Sequence, residues 1–268
     1  MRFLLFLLFL PGLAAPASPV AAAAFAHDAW GAIVQGRVNS IGEVDYAAVK
    51  SNRAPLDSYL RSLAEVSPDS HPDRFASRAE QLAYWLNAYN ALVTRGIVDA
   101  YPTRSVRQLG PVFGFFRRAD HTLGGRRLSL DTVEHQIIRK RYRDPRIHFA
   151  IVCASVSCPR LAREAFTGAQ LDAQLDRLVR DSLGEARMVT LDVAAKTLRL
   201  SSLFKWYAAD FGDVPAFLRR YLSAARVEEL GRLGPHPRIR YFDYDWSINE
   251  PGSRAKAAQP QERALARP

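Results

Sequence analysis

Cysteine is nearly absent from this 268-residue chain: Cys153 and Cys158 are the only two. A framework of disulfide staples is therefore excluded, and none is needed, because residues 27–250 alone are enough chain to bury about 70% of the unfolded surface. Long apolar runs are also scarce. The longest, Phe3 to Leu10, falls far short of the roughly 20 residues that cross a bilayer, and no later segment comes closer, so no stable membrane insertion is expected. Acidic residues are outnumbered, with a formal net charge of +10. No run of basic residues interleaves with aromatics along one element, so nucleic acid is not an expected partner. There is no glycine-rich phosphate loop, no metalloprotease helix motif and no internal repeat, and no cofactor is called for. The 48% hydrophobic and 24% charged composition excludes wholesale disorder, collagen and a coiled coil.

What is present begins with a leader. Met1-Arg2, the apolar Phe3–Leu10, Pro11-Gly12 and a stretch of alanines ending at Ala24-Phe25-Ala26 have the form of a secretory signal peptide over residues 1–26, with a second possible cut after Ala15-Pro16-Ala17. No cysteine lies near either cut, which argues against a lipid anchor. A soluble periplasmic or secreted protein is expected, with one globular domain over residues 27–250. Residues 251–268, rich in Ala, Pro, Gln and Arg, form a basic tail with too little apolar content to pack.

The body mixes helix and strand signals. Ala54 to Val66 carries Leu56, Tyr59, Leu60 and Leu63 at helical spacing. Ser77-Arg78-Ala79-Glu80 is a capping box for a long helix that Tyr101-Pro102 ends, and Asp131-Thr132-Val133-Glu134 is a second box, for a helix reaching about Tyr142. Gly124-Gly125 predicts a tight hairpin turn, and Met188 to Leu200 predicts another around Ala194–Lys196. Arg146 to Cys153, almost continuously apolar, predicts a central buried strand. Leu171 to Leu183 is amphipathic, two helices follow at about Ser202–Asp210 and Pro215–Leu230, and Arg238 to Trp246 is strand-like. Without regular βαβ alternation the fold class is α+β, with helices packed on a small, mainly antiparallel sheet.

The chemistry points to Cys153 and Cys158, delivered at the end of the Arg146–Cys153 segment. A thiol beside free backbone N–H groups at a helix start is stabilised as a thiolate. An inert buried pair, or a disulfide between the two in an oxidising compartment, stays open. Of six histidines, His135 and His148 are the candidates for a base. His135 lies near a helix N-terminus, where the dipole favours a neutral ring. His148, five residues before Cys153, would face away from it on a strand. Glu134 either orients an imidazole or closes its capping box. Asn87 and Asn90, three residues apart on one face of the long helix, need partners; they either tie down a loop or support a site. The aromatic clusters Phe204–Phe211 and Tyr241–Trp246 suggest core and lid packing, with Asp243 and Asp245 read as an exposed face ahead of a third catalytic member.

Four motifs, Glu80 to Ala91, Leu128 to His135, Asp144 to Pro159 and Tyr244 to Asn249, resemble in order and spacing the family known as domain of unknown function 547. The resemblance implies an exported bacterial member in which Cys153 and His135 are the shared pair, with Cys158 and His148 a bacterial elaboration. It also implies a distant likeness to papain-like and transglutaminase-like cysteine enzymes, in which an amide such as Asn87 or Asn90 orients the histidine or helps hold the oxyanion. This chain departs from papain-like order in placing the histidine before the cysteine.

Three functions follow as expectations. In the first, Cys153 attacks a carbonyl of a small-molecule or peptide substrate, His135 moves the proton, and Glu134, Asn87 and Asn90 support them, giving thiol-dependent acyl transfer or amide hydrolysis. In the second, Cys153 and Cys158 form a switchable disulfide or, with His135 and His148, bind a soft metal. The third is a non-catalytic exported binding protein.

Overall fold

The structure, a computed structural model, describes residues 23–110 and 114–256. The chain enters through α1 (Asp28–Arg37), α2 (Tyr46–Ser51) and α3 (Ala54–Glu65), the last burying the expected Leu56, Tyr59, Leu60 and Leu63. These pack around α4 (Arg78–Ala100), in which every residue from Leu82 to Thr94 is buried. A helix enclosed on all sides has no polar face to spare, and α4 is apolar nearly all round in that stretch. Ser77 caps its start as expected, Oγ accepting from Glu80 N at 3.1 Å, while the Glu80 carboxylate reaches one residue beyond the N-cap and accepts from Ala76 N at 2.5 Å. It ends at Ala100, where Pro102 pushes Tyr101 into extended backbone.

After the short α5 (Gly114–Arg117), β1 (His121–Leu123) and β2 (Arg126–Leu128) form the expected hairpin. Gly124 and Gly125 both have positive φ, 54° and 78°, as a primed two-residue turn requires. The turn is also docked: Gly124 N donates to Leu63 O at 2.9 Å and Gly125 N to Ala64 O at 2.7 Å, so it satisfies carbonyls at the end of α3. A Cβ on Gly124 would sit 2.1 Å from Ser67 Oγ.

The next helix, α6 (130–142), starts earlier than its expected capping box. Ser129, not Asp131, is the cap, its Oγ accepting from Thr132 N at 3.0 Å. The middle of α6, Val133–Arg139, is π-helical, a rare form that accommodates one extra residue per turn and is frequent at functional sites.

The expected central strand over Arg146–Cys153 is not a strand. Asp144 caps a 3₁₀ helix, Pro145–Phe149, accepting from Arg146 N at 2.9 Å, and the chain then runs through an irregular buried stretch to Cys153. A continuous apolar run reports burial but not secondary structure, and Pro145 after a capping Asp favours a helical start.

Beyond it, α7 (Leu171–Leu183) is amphipathic as expected, and β3 (Val189–Asp192) and β4 (Thr197–Leu200) form the second expected hairpin. Each of the two expected later helices is divided, giving α8 (Ser202–Trp206) and α9 (Ala208–Phe211), then α10 (Val214–Tyr221) and α11 (Ala224–Arg232). Finally β5 (Arg238–Tyr241) pairs parallel to β4, making a three-stranded sheet of order β3-β4-β5 beside the separate β1-β2 hairpin. The fold is α+β.

Residues 1–22 of the expected leader and 257–268 of the expected tail lie outside the described residues. Inside the leader's expected last residues, Phe25 packs against the core, its ring 6.0 Å from Phe75 and 5.1 Å from Tyr84, and His27 Nδ1 lies 2.7 Å from the Tyr59 hydroxyl. At the other end the packed body continues past Glu250, correcting the tail boundary. Arg254 is 8% exposed, its N–H donates to Glu43 Oε1 at 2.9 Å, and its guanidinium bridges the carbonyls of Cys158 and Pro159. Hydrogen bonds, not apolar content, anchor this segment.

Candidate functional site

The segment from Cys153 to Cys158 is held in place by the chain's last extended stretch. Asn249 N donates to Ala154 O at 3.1 Å, Val156 N to Ser247 O at 2.8 Å, and Asp245 N to Ser157 Oγ at 2.9 Å. Between the anchors Ala154 adopts a left-handed backbone with φ 64°, a conformation that costs a non-glycine residue energy and is concentrated at functional sites. The turn brings the two cysteines together, and Cys153 and Cys158 are joined by a disulfide. Cys153 is half-buried in the wall of a cavity of about 240 Å³, while Cys158 behind it is 4% exposed.

Cys158 Sγ faces two donors, Cys153 N at 3.0 Å and the Tyr244 hydroxyl at 3.1 Å. The same hydroxyl lies 3.4 Å from Cys153 Sγ and 3.2 Å from Ser155 Oγ, and Ser155 Oγ is 2.9 Å from Cys153 Sγ. Burial pushes the Tyr244 phenol up to about 12, so it remains a donor at neutral pH. Donors aimed at sulfur stabilise a thiolate whenever the bond between the sulfurs is broken.

The opposite wall is a polar network built on α6. Glu134, 8% exposed, does not close a capping box: its carboxylate accepts from the Tyr89 hydroxyl at 2.9 Å and the Tyr207 hydroxyl at 2.5 Å. Burial, reinforced by Glu134, holds both phenols above their usual range. His148 stacks on Tyr207 with ring centroids 3.9 Å apart, and its Nε2 lies 2.7 Å from Asp210 Oδ2. Burial lowers the His148 pKa against the opposing pull of Asp210, which favours a neutral ring donating through Nε2. Asp210 also takes both ends of the Arg139 guanidinium, at 2.6 and 2.9 Å, and that pairing holds its carboxyl below the usual range. Arg139 donates in turn to His135 Nδ1 at 2.8 Å, leaving His135 Nε2 3.6 Å from Asp131 Oδ1.

Cys153, Cys158, His135, His148 and Glu134 therefore do line one cavity. The 3₁₀ turn, in place of a strand, is what lets His148 face it. Among the described residues, however, no hydrogen bond joins either histidine to a sulfur. No group of three or more His, Cys, Asp or Glu side chains there is placed to hold a metal ion, which leaves the soft-metal set of Cys153, Cys158, His135 and His148 without geometric support.

Asn87 and Asn90 stand apart from the cavity and act as tethers. Asn87 Nδ2 donates to Phe166 O at 2.8 Å and its Oδ1 accepts from Phe166 N at 2.9 Å. Asn90 does the same across one residue, to Ala150 O at 2.8 Å and from Val152 N at 3.0 Å. Each amide thus replaces a neighbouring strand for an irregular segment, and the second fixes the approach to Cys153. Asp245 is likewise structural, accepting from Ser247 N at 2.9 Å.

Tyr89, Tyr207, Asp210, Arg139, Ser155 and Tyr244 were not singled out by the sequence. Three had a signal within reach: Tyr89 lies between the two asparagines, Tyr207 lies in the first aromatic cluster, and Tyr244 opens the last motif.

Residues 73–182 match the family described as Protein of unknown function, DUF547. The Tyr244–Asn249 motif lies beyond that span. No curated protein and no solved structure matches the chain.

Proposed function

We propose that this chain, whose residues 73–182 carry a domain of the DUF547 family, is a thiol–disulfide exchange protein with Cys153 and Cys158 as its redox pair. The observation that carries the reading is the unequal exposure of a disulfide set in a cavity wall: Cys153 is half-buried, whereas Cys158 is 4% exposed and accepts from Cys153 N and the Tyr244 hydroxyl. An incoming thiolate attacks Cys153 Sγ, the bond to Cys158 breaks, and its electron pair leaves on Cys158 Sγ, where Cys153 N–H and Tyr244 O–H receive it. A second thiolate of the same substrate then attacks the substrate sulfur of the mixed disulfide and releases Cys153 as a thiolate. One dithiol has become a disulfide, the pair has gained two electrons and two protons, and a partner disulfide regenerates it. Such a pair persists in an oxidising compartment, the destination the expected leader over residues 1–26 would give.

The test is equilibration of the purified protein with glutathione couples of varied ratio, followed by mass-resolved alkylation. Cys153 and Cys158 are expected to become alkylatable together across one midpoint, with Cys153→Ser abolishing catalytic oxidation of a dithiol peptide. Two thiols open to alkylation before any reductant is added, or a bond that resists excess dithiothreitol under native conditions, would overturn the reading.

One observation favours a second reading, acyl transfer by a reduced Cys153 thiolate: His135, His148 and Glu134 share its cavity. Cys158→Ser separates the two. It ends disulfide cycling, whereas an acyl-transfer enzyme would keep labelling Cys153 with an acyl probe.

A further inference from the structure

Three aromatic rings run from the sulfurs to the surface. Tyr244 touches both sulfurs with its hydroxyl, and its ring lies 4.5 Å from Trp246 and 4.6 Å from Trp206. Trp206 and Trp246 stack at 5.7 Å with 26° between their planes. The strip ends on Trp206, which is 47% exposed and lines the same cavity as Cys153. Across the cavity the more exposed charged groups, Arg117 and Asp131, are of opposite sign and give no preference for a charged ligand.

A small thiol reaching Cys153 would use the inner end of this strip and leave the indole of Trp206 untouched. The cavity, about 240 Å³, is smaller than the roughly 300–1,000 Å³ of ordinary small-molecule pockets, and so takes one or two side chains rather than the surface of a folded domain. Resting on the redox reading above, we propose that Trp206, Tyr244 and Trp246 form a subsite for an aromatic or bulky apolar side chain next to the reacting cysteine of an extended polypeptide. The substrate is then an unfolded chain, because residues of that kind are buried once a protein has folded. Ring-on-ring contact supplies the selectivity, and backbone around the substrate cysteine lies along the mouth.

The experiment compares rates of oxidation of synthetic Cys-x-x-Cys peptides carrying Trp, Leu, Ala or Asp beside the first cysteine, with dithiothreitol as the small-thiol reference. The Trp peptide is expected to react about tenfold faster than the Ala and Asp peptides. In Trp206→Ala the ratio of Trp-peptide to Ala-peptide rates falls toward one, while Trp206→Phe, which keeps a ring, retains most of it. A ratio unchanged by Trp206→Ala, or Ala and Trp peptides reacting equally in the unsubstituted protein, would overturn the subsite. Failure of dithiothreitol and every peptide to reduce the pair would instead remove the redox reading on which it rests.

Discussion

Two buried polar clusters lie close together along the chain's core and behave in opposite ways. On α4, Asn87 and Asn90 each give both ends of their amides to the backbone of a neighbouring segment, away from the cavity. Around the disulfide, the hydroxyls of Tyr244 and Ser155 converge on sulfur beside an open cavity. Both groups are polar residues in apolar surroundings, and from sequence they are equivalent. What separates scaffold from chemistry is whether each side chain is engaged by the protein's own backbone or aimed at a reactive atom beside a cavity.

The contrast can be tested from its strongest side. Asn90→Ala leaves Ala150 O and Val152 N unpaired in the interior and is expected to cost about 2 to 4 kcal/mol in urea unfolding; a loss well under about 1 kcal/mol would mean the amide is not a tether. Acid gives the next largest effect. Burial lowers the His27 pKa to about 4, so between there and its unfolded value near 6.5 the unfolded chain binds the extra proton. The stability contributed by a neutral His27 is complete above about pH 6.5 and is lost as pH falls toward about 4, by up to about 3 kcal/mol. Unfolding curves taken across that range should flatten in His27→Gln, and an equal slope in the variant would rule out His27 as the source.

Smaller effects belong to the sulfur side. Replacing both cysteines by Ala removes a short cross-link and should cost about 2 kcal/mol, less than the loss of Asn90. Tyr244→Phe keeps the ring and deletes one donor to Cys158. Stability should change by no more than about 1 kcal/mol, whereas the Cys158 thiol pKa in reduced protein should rise, seen as slower alkylation at neutral pH. A large stability loss with an unchanged alkylation profile would move Tyr244 to the scaffold side of the comparison.

Much of the fold follows from local signals in the sequence. Ser77 and Glu80 fix the start of α4, Gly124-Gly125 makes its turn, and both hairpins and the helical span of α3 lie where expected. The differences at Ala150–Val152 and Glu134 have a cause in sequence separation. Ala150 to Val152 is held by an amide 60 or more residues away, so its apolar run looks like a strand that has no partner strand. Glu134 fits a capping box by spacing, yet its real partners, Tyr89 and Tyr207, are 45 and 73 residues distant. The π-turn in α6 has no local sequence signature, although it sets where Glu134 and His135 point. Cys153, Cys158, His135, His148 and Glu134 were recognisable by residue type and do meet; how they are connected was not legible.

Phe25 gives the N-terminal end of the chain an unexpected weight. Its ring wedges among Tyr59, Phe75 and Tyr84, beside the half-buried ring of His27. Export with a cut after Ala17 would leave that wedge in the mature protein. A cut after Ala26 would discard it, place a charged amino group on His27 and open the aromatic cluster to water. Were the chain processed there, the choice of cut would decide how dry His27 is, and with it how the fold tolerates acid.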